Sequence, residues 1–291
     1  MTVSNGLVIV DKPGGWTSHD VVARIRRLAG TRRVGHAGTL DPAATGVLVV
    51  GVERATRVLG HLGHTDKAYD AVIRLGERTT TDDAEGEVVT AEPATGISEE
   101  DVRRAVRHLT GRIMQIPPQV SAVKVGGRRA YKLARAGEDL ALKPRPATVH
   151  EFAVSEIARV GELLDVEASV VCSTGTYVRA LARDLGDGLG VGGHLTWLRR
   201  TRVGPYTVSD ARTLDELARS FRVLPLSEAV AAAFPRREVS AGEVRRVAHG
   251  GRLPAAGIGP GPVGVFGPDG ELLALVEESG GVARPLAVFA G

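Results

Sequence analysis

Short apolar runs and helical repeats alternate along the chain. An apolar run at residues 6–10 ends in a Lys-Pro-Gly-Gly turn, and residues 21–28 then repeat apolar positions at helical spacing behind the capping residue Ser18. Further strands are predicted at 47–52, 69–75, 149–157, 163–172 and 192–203, and further helices at 98–109 and 176–189. Because strands and helices mix without a regular βαβ repeat, the pattern favours an α+β fold over a doubly wound sheet.

The pattern changes beyond residue 233. A short helix is predicted at 239–247, and a stretch rich in proline and glycine follows at 253–262. Two short apolar runs then flank a Gly-Pro-Asp-Gly turn at 267–270, which is typical of a β-hairpin. We therefore expect a main domain over 1–234 and a small β-rich domain over 235–291.

Composition narrows the class of protein. With 291 residues, of which 43% are hydrophobic and 24% charged, the chain can bury a sizeable core. Its single cysteine excludes a disulfide framework and any zinc site built on two or more thiolates. The N-terminal residues show no secretion signal, and no apolar run reaches the length of a membrane span. We expect a soluble protein of a reducing compartment, the cytoplasm.

The charge distribution is more informative than the net charge of +3. The segment 119–146 carries seven basic residues against two acidic ones. Such a local basic lobe is typical of a surface that docks a polyanion, although a solvated loop or helix face would show the same charges. The basic residues are Lys124, Arg128, Arg129, Lys132, Arg135, Lys143 and Arg145.

Motifs typical of cofactor and metal sites are either absent from the sequence or lie in the wrong order of predicted elements. The G-x-G-x-x-G match at 188–193 follows a predicted helix and precedes a strand, the reverse of the order that a dinucleotide site needs. No Gly-Lys-Ser/Thr phosphate loop and no H-E-x-x-H metal motif occurs. Cys172 ends an apolar strand, which indicates a buried structural thiol rather than a nucleophile. We predict neither a cofactor nor a metal.

The segment 35–46 reads GHAGTLDPAATG and places Asp41 before Pro42 in a glycine-rich loop. Such a loop can hold one carboxylate at a sharp turn, with backbone close enough to touch a ligand. Taken alone, Asp-Pro is more simply a turn whose carboxylate satisfies local N–H groups.

The whole loop resembles the G-H-x-G-x-L-D-P-x-A-T-G signature of TruB-type pseudouridine synthases, the tRNA pseudouridine-55 synthases. Other segments resemble further elements of that family in the same order, and the resemblance spans roughly residues 7–208. The C-terminal part corresponds in position to the family's PUA-type RNA-binding domain. The matching segments are K-P-x-G-x-T-S at 12–18, Lys-Ala-Tyr at 67–69, Gln-Ile-Pro-Pro at 115–118, Tyr-x-Arg at 177–179 and Leu-Arg-Arg at 198–200.

The resemblance implies a mainly antiparallel catalytic sheet flanked by helices, with a PUA-like C-terminal domain. It also implies an isomerisation that breaks the N1–C1′ bond of uridine, turns the uracil and joins its C5 to C1′. That reaction needs no cofactor or metal, but it does need an ionised carboxylate and a flipped-out nucleotide. The resemblance makes Asp41 the catalytic nucleophile. Whether it attacks C1′, attacks the base or removes the C2′ proton stays open.

The resemblance also assigns the residues around the base. Arg179 is the expected cationic partner that keeps Asp41 ionised. Tyr69 is expected to stack on the target uracil, and Tyr177 to line the pocket opposite it. Stacking holds a base without fixing its rotation, which suits a ring that must turn.

Three further residues complete the expected site. Leu198 is expected to supply an apolar wall, and His36 to contact the flipped nucleotide. Lys12 is expected to support the catalytic loop or bind a phosphate, and a purely structural role is equally compatible with the sequence.

In this family an insertion after the Pro-Pro segment closes over the T-arm of tRNA, and 119–146 occupies that position. The expected partner is therefore the T-arm stem-loop, bound by a monomer and recognised largely by its shape. The expected phosphate contacts come from Lys124, Arg128, Arg129, Lys132 and Arg135.

Three other functions are compatible with parts of this pattern. A non-catalytic tRNA-binding protein or RNA chaperone with the same fold is the main alternative, but it would have no need to retain Asp41 and Arg179. The catalytic subunit of a guide-RNA particle is disfavoured, because the chain shows no long basic tail or large extension. A uridine methyltransferase is disfavoured because no methyl-donor loop is visible.

Overall fold

The computed structural model describes residues 5–121 and 142–290, and the backbone alone of 124–125 and 128–129. Two compact units make up the chain. The first comprises residues 1–65 together with 202–291, and the second comprises residues 66–201. Within the described ranges, no helix is long and apolar enough to cross a membrane.

Among the residues that the structure describes, strands outnumber helices. The strands are β1 (Gly6–Lys12), β2 (Val34–Ala37), β3 (Thr45–Val52), β4 (Lys67–Leu75), β5 (Glu77–Thr79), β6 (Val88–Ala91), β7 (Gly111–Gln115), β8 (Lys124–Val125), β9 (Arg128–Arg129), β10 (Arg145–Val160), β11 (Leu163–Cys172), β12 (Gly193–Val203), β13 (Tyr206–Thr207), β14 (Leu224–Pro225), β15 (Arg236–Glu238), β16 (Leu253–Pro254), β17 (Pro262–Phe266), β18 (Leu272–Ser279) and β19 (Val282–Val288). The helices are α1 (Ser18–Ala29), α2 (Leu59–Leu62), α3 (Glu99–His108), α4 (Val178–Gly188), α5 (Leu214–Arg219), α6 (Leu226–Ala233) and α7 (Ala241–Ala248), with a 3₁₀ turn at Glu53–Arg57.

The first unit is built on the antiparallel pair β1 and β3. Both strands are apolar on both faces because each face is covered. Val8 and Val10 pack with helices α1 and α5 in one cluster, while Leu7 and Ile9 belong to a second cluster on the opposite face. The short strand β14 adds to the outer edge of β1, and β2 adds to β3.

The C-terminal strands form a separate five-stranded sheet in the order β15-β17-β18-β19-β16. The turn at 267–270 joins β17 to β18, which confirms the predicted hairpin. Phe266 and Leu275 of this sheet share a core cluster with Leu7 and Ile9 of β1. Because of this shared core, the C-terminal sheet belongs to the same compact unit as the N-terminal residues. The domain boundary at 234/235 stays a prediction.

The second unit contains a sheet in the order β12-β4-β11-β10-β7. The hairpin β10–β11 turns at Gly161, whose φ of 63° is the left-handed conformation that glycine favours. Helix α3 lies within the helix predicted at 98–109; it begins at a capping box between Ser98 and Asp101 and buries Val102. Strands and helices thus combine in the predicted α+β arrangement.

Candidate active site

The loop that carries Asp41 is shorter than the glycine-rich loop predicted at 35–46. Residues 34–37 form strand β2 and pair with 49–52 of β3, so His36 lies on a strand and not in the predicted loop. Pairing with a distant strand overrides the local preference, because it satisfies backbone groups that a loop would leave to solvent. The irregular part spans 38–44, between Gly38 (φ 73°) and Gly46 (φ 97°).

A buried lysine holds this loop. The side chain of Lys12 is fully buried, and its Nζ donates to the carbonyl oxygens of Pro13 at 2.9 Å, Trp16 at 2.6 Å and Pro42 at 2.9 Å. Three carbonyls match the three N–H donors of an ammonium group. Lys12 therefore ties the end of β1 to the residue that follows Asp41.

Two more hydrogen bonds link the same segments. The hydroxyl of buried Ser18 accepts from the Leu40 N–H at 3.0 Å and donates to the Leu40 carbonyl at 3.1 Å. The Gly15 N–H donates to the Pro42 carbonyl at 2.9 Å. Residues 12–18 thus fix the backbone on both sides of Asp41, and two motifs that are separate in the sequence form one rigid turn.

His36 is half-buried on β2. Its ring meets that of His19, an exposed residue in the first turn of α1, in an edge-to-face contact with centroids 5.7 Å apart. This arrangement is one of the favoured geometries of ring pairs.

The remaining candidates lie in the second unit, and Tyr69 and Leu198 are on its sheet. Tyr69 is buried on β4, opposite Val170 of β11. Leu198 is partly buried on β12, and its neighbour Trp197 points to the other face because side chains alternate along a strand. A groove of about 670 Å³ beside Trp197 is lined by residues of β4, β10 and β11, and none of its lining residues is a predicted site residue.

Tyr177 immediately precedes α4 and is clamped by a glutamine. Its N–H donates to Gln115 Oε1 at 2.8 Å, and its carbonyl accepts from Gln115 Nε2 at 3.1 Å. The Gln115 side chain is buried, so both of its polar atoms need these partners. Gln115 was not among the predicted site residues, although its Gln-Ile-Pro-Pro segment is one of the family-like elements.

Arg179 is held on three sides. Its Nη1 donates to the Thr81 carbonyl and its Nη2 to the Val120 carbonyl, each at 2.9 Å, while Nε lies 3.5 Å from Asp83 Oδ2. Asp83 is itself fixed, because its Oδ1 accepts from Thr81 Oγ1 at 2.5 Å and from the Glu85 N–H at 3.1 Å. Asp83 was not among the predicted site residues, and its place in a Thr-Thr-Thr-Asp-Asp run is the one feature of the sequence that distinguishes it.

Arg183 lies one helical turn after Arg179 on α4, and it also contacts the turn at 81–83 and the segment after β7. It donates to Asp82 at 3.1 Å, to the Ile116 carbonyl at 2.8 Å and to Asp184 at 2.8 Å. Burial raises the pKa of Asp82 and of Asp184, while the charge of Arg183 opposes that rise. Arg179 and Arg183 lie four residues apart, so one face of α4 anchors both the 81–83 turn and the segment after β7.

Lys67 and Cys172 sit opposite each other on β4 and β11. Burial lowers the pKa of Lys67 to about 8, and nearby Arg200 contributes to the shift. Burial also raises the pKa of the Cys172 thiol to about 11. Cys172 is thus a buried thiol, as predicted.

The structure brings together some of the predicted residues within each unit. Lys12, His36 and Asp41 belong to the first unit; Tyr69, Tyr177, Arg179 and Leu198 belong to the second. In the portions that the structure describes, no three histidine, cysteine, aspartate or glutamate side chains cluster as metal ligands would.

The predicted phosphate contacts fall largely outside the described residues. Lys132 and Arg135 are not described, and Lys124, Arg128 and Arg129 are described only as backbone of the antiparallel pair β8 and β9. Their role stays a prediction.

Solved structures identify the class of fold. The chain superposes on the structure titled "Structure of H/ACA RNP bound to a substrate RNA containing 2'-deoxyuridine" with a TM-score of 0.75 and 28% identity, covering 98% of this chain and 85% of that one. It matches "Crystal Structure of a Cbf5-Nop10-Gar1 Complex" with a TM-score of 0.76 and 29% identity, covering 99% of this chain and 84% of that one.

Sequence comparison identifies the family. The model described as "TruB family pseudouridylate synthase (N terminal domain)" matches residues 26–178, and "tRNA Pseudouridine synthase II, C terminal" matches 234–290. Proteins named tRNA pseudouridine synthase B are 65% identical in Thermobifida fusca, over 99% of this chain and 100% of the relative, and 56% identical in Streptomyces griseus, over 99% and 98%. The chain belongs to the TruB family of pseudouridylate synthases.

Proposed function

We propose that this protein converts uridine 55 in the T-loop of tRNA to pseudouridine, with Asp41 as the nucleophile. Support comes from family membership and from relatives of 56–65% identity named tRNA pseudouridine synthase B. The observation that carries the role of Asp41 is the rigidity of its turn. The carbonyl of the next residue, Pro42, receives hydrogen bonds from both the buried Lys12 ammonium and the Gly15 N–H.

A fixed carboxylate suits this reaction because nothing is transferred to a second substrate. The N1–C1′ bond breaks, the uracil turns, the C5–C1′ bond forms, and the proton leaving C5 is matched by the one gained at N1. Asp41 acts in its ionised form in each of the three routes: attack at C1′, attack on the base, or removal of the C2′ proton. The backbone hydrogen bonds around Asp41 supply the positioning that each route requires.

Arg179 is proposed as the cation that pairs with Asp41 and keeps it ionised. A planar guanidinium orients a carboxylate well when its own position is fixed. The Thr81 and Val120 carbonyls and the Asp83 carboxylate fix that position.

The uracil is proposed to bind among apolar and aromatic side chains. Tyr69 stacks on the ring, Tyr177 faces it, and Leu198 supplies an apolar wall, so the detached base is held without directional bonds and can turn. His36 contacts the flipped nucleotide. The Gln115 clamp supports the proposed place of Tyr177, because it fixes the backbone on either side of that Cα.

The T-arm stem-loop is the proposed partner of a monomeric, cytoplasmic enzyme that needs no cofactor. The basic segment 119–146 would contact its phosphates, which adds affinity and register without reading sequence.

Site mapping tests the proposal. Purified protein is incubated with an unmodified tRNA transcript, and pseudouridines are located by carbodiimide adduct formation followed by primer extension. We expect one new stop, one nucleotide 3′ of position 55, and none in a transcript that carries cytidine at position 55. Modification elsewhere, or none with a correctly folded tRNA, would overturn the proposal.

A further inference from the structure

The chain contains two tryptophans, Trp16 and Trp197, and both are exposed, at 37% and 43% of their surface. Trp197 lies on β12 beside the groove on the second unit's sheet. Trp16 lies in the turn between β1 and α1, the turn that holds the Asp41 loop.

The backbone of Trp16 is fixed by its own carbonyl and by the residue that follows it. Its carbonyl accepts from the Lys12 ammonium at 2.6 Å, and that same ammonium donates to the Pro42 carbonyl. The next residue, Thr17, caps α1 in a reciprocal capping box with Asp20. The exposed indole therefore projects from a rigid turn that shares one ammonium group with the loop of the proposed nucleophile.

Two histidine rings and a basic stretch of sequence follow this turn. His19 is exposed in the first turn of α1 and contacts the ring of His36. Residues 21–40, which follow this turn in the sequence, contain five arginines (Arg24, Arg26, Arg27, Arg32 and Arg33) and no acidic residue, while Asp20 and Asp41 border this range. An exposed aromatic ring on an arginine-rich part of the chain is a combination that suits single-stranded nucleic acid, in which the ring stacks on a base and the charge attracts the backbone.

We infer that the indole of Trp16 is a stacking platform for an unpaired base of the substrate RNA, next to the uridine on which Asp41 acts. This inference rests on the proposed function and adds a contact to it. In the proposed function Tyr69 stacks on the target uracil, so the base that stacks on Trp16 is a neighbouring one. Stacking there stabilises the opened loop in which the target uridine is extruded.

Intrinsic fluorescence tests this contact directly. In an Asp41→Asn background, Trp197→Phe leaves Trp16 as the only indole, and Trp16→Phe leaves Trp197. Each protein is titrated with a T-arm stem-loop, and anisotropy of a labelled copy of the RNA measures binding separately. We expect RNA to quench Trp16 emission by a third or more, and to leave Trp197 emission unchanged.

Affinity provides the second readout. Trp16→Ala is expected to weaken RNA binding about five- to tenfold, the lower end of the loss typical of one base–aromatic stack, while Trp16→Phe retains most of the affinity. Trp197→Ala serves as the matched exposed control and is expected to bind normally. Normal RNA binding with unquenched Trp16 emission would overturn the stacking role and leave the proposed function standing. Absence of RNA binding by anisotropy would overturn the proposed function, and the stacking role with it.

Discussion

The buried ammonium of Lys12 lies 2.9 Å from the carbonyl oxygen of Pro42, the residue that follows the proposed nucleophile. Lys12→Met would leave three carbonyls without this donor, at a cost of about 1–3 kcal/mol for each one that stays buried and unpaired. We expect turnover to fall at least tenfold, while RNA affinity changes little. Single-turnover kinetics and a binding titration separate the two effects; a loss confined to affinity would instead favour a phosphate-binding role for Lys12.

Asp83 orients Arg179 in this account. Asp83→Asn keeps the size of the side chain and removes the charge that faces Arg179 Nε at 3.5 Å. We expect kcat to fall tenfold or more with a small change in KM, because Arg179 is proposed to act on the reacting groups and not on RNA docking. Asp187→Asn is the matched control: its ion pair with Arg78 is solvent-exposed, and its loss should leave kcat unchanged.

The clamp on Tyr177 predicts a graded effect. Gln115→Glu can still accept from the Tyr177 N–H but cannot donate to its carbonyl as the carboxylate, whereas Gln115→Ala loses both hydrogen bonds. We expect activity and the free energy of unfolding to decrease from wild type to Glu to Ala, measured by kinetics and urea denaturation. Equal activity in all three proteins would show that the clamp does not position Tyr177 for the reaction.

Lys67 predicts a pH dependence of stability. Since burial lowers its folded-state pKa to about 8 from the ordinary 10.5, the unfolded state binds more protons between these values. The free-energy cost of burying the charged Lys67 ammonium in the folded state is therefore fully present below pH 8. It decreases as the pH rises towards 10.5. We expect the unfolding free energy of Lys67→Met, relative to wild type, to fall by about 2–3 kcal/mol between pH 7 and pH 10. A pH-independent difference in urea denaturation would contradict the perturbed lysine.

Much of the fold could be predicted from local patterns. The capping box at Ser98, the hairpin turn at 267–270 and the apolar runs of β1 and β3 carry their structure in neighbouring residues. The extent of β2 could not be predicted, because residues 34–37 become a strand only by pairing with β3. The grouping of the C-terminal sheet with β1 depends on a core shared by Phe266 and Leu7, residues far apart in the sequence.

The candidate site, like the fold, could be predicted from the sequence only in part. The family-like motifs indicated Asp41, Tyr69, Tyr177 and Arg179, and they offered Lys12 as a support of the catalytic loop. They did not indicate which partner atoms hold these residues. The contacts of Lys12 with Pro42, Gln115 with Tyr177 and Asp83 with Arg179 span 30, 62 and 96 positions (the last from residue numbers 179 and 83). Such supporting contacts arise from the tertiary fold, so residue types and local spacing alone do not predict them.

Tritium release from a T-arm stem-loop labelled at C5 of its uracils tests directly whether Asp41 carries the isomerisation. We expect release by the wild-type protein and none by Asp41→Asn, with RNA affinity of the variant within tenfold of wild type. Substantial release by Asp41→Asn would contradict the role of Asp41. No release by either protein, with tight binding of the same RNA, would contradict the catalytic function and leave an RNA-binding protein.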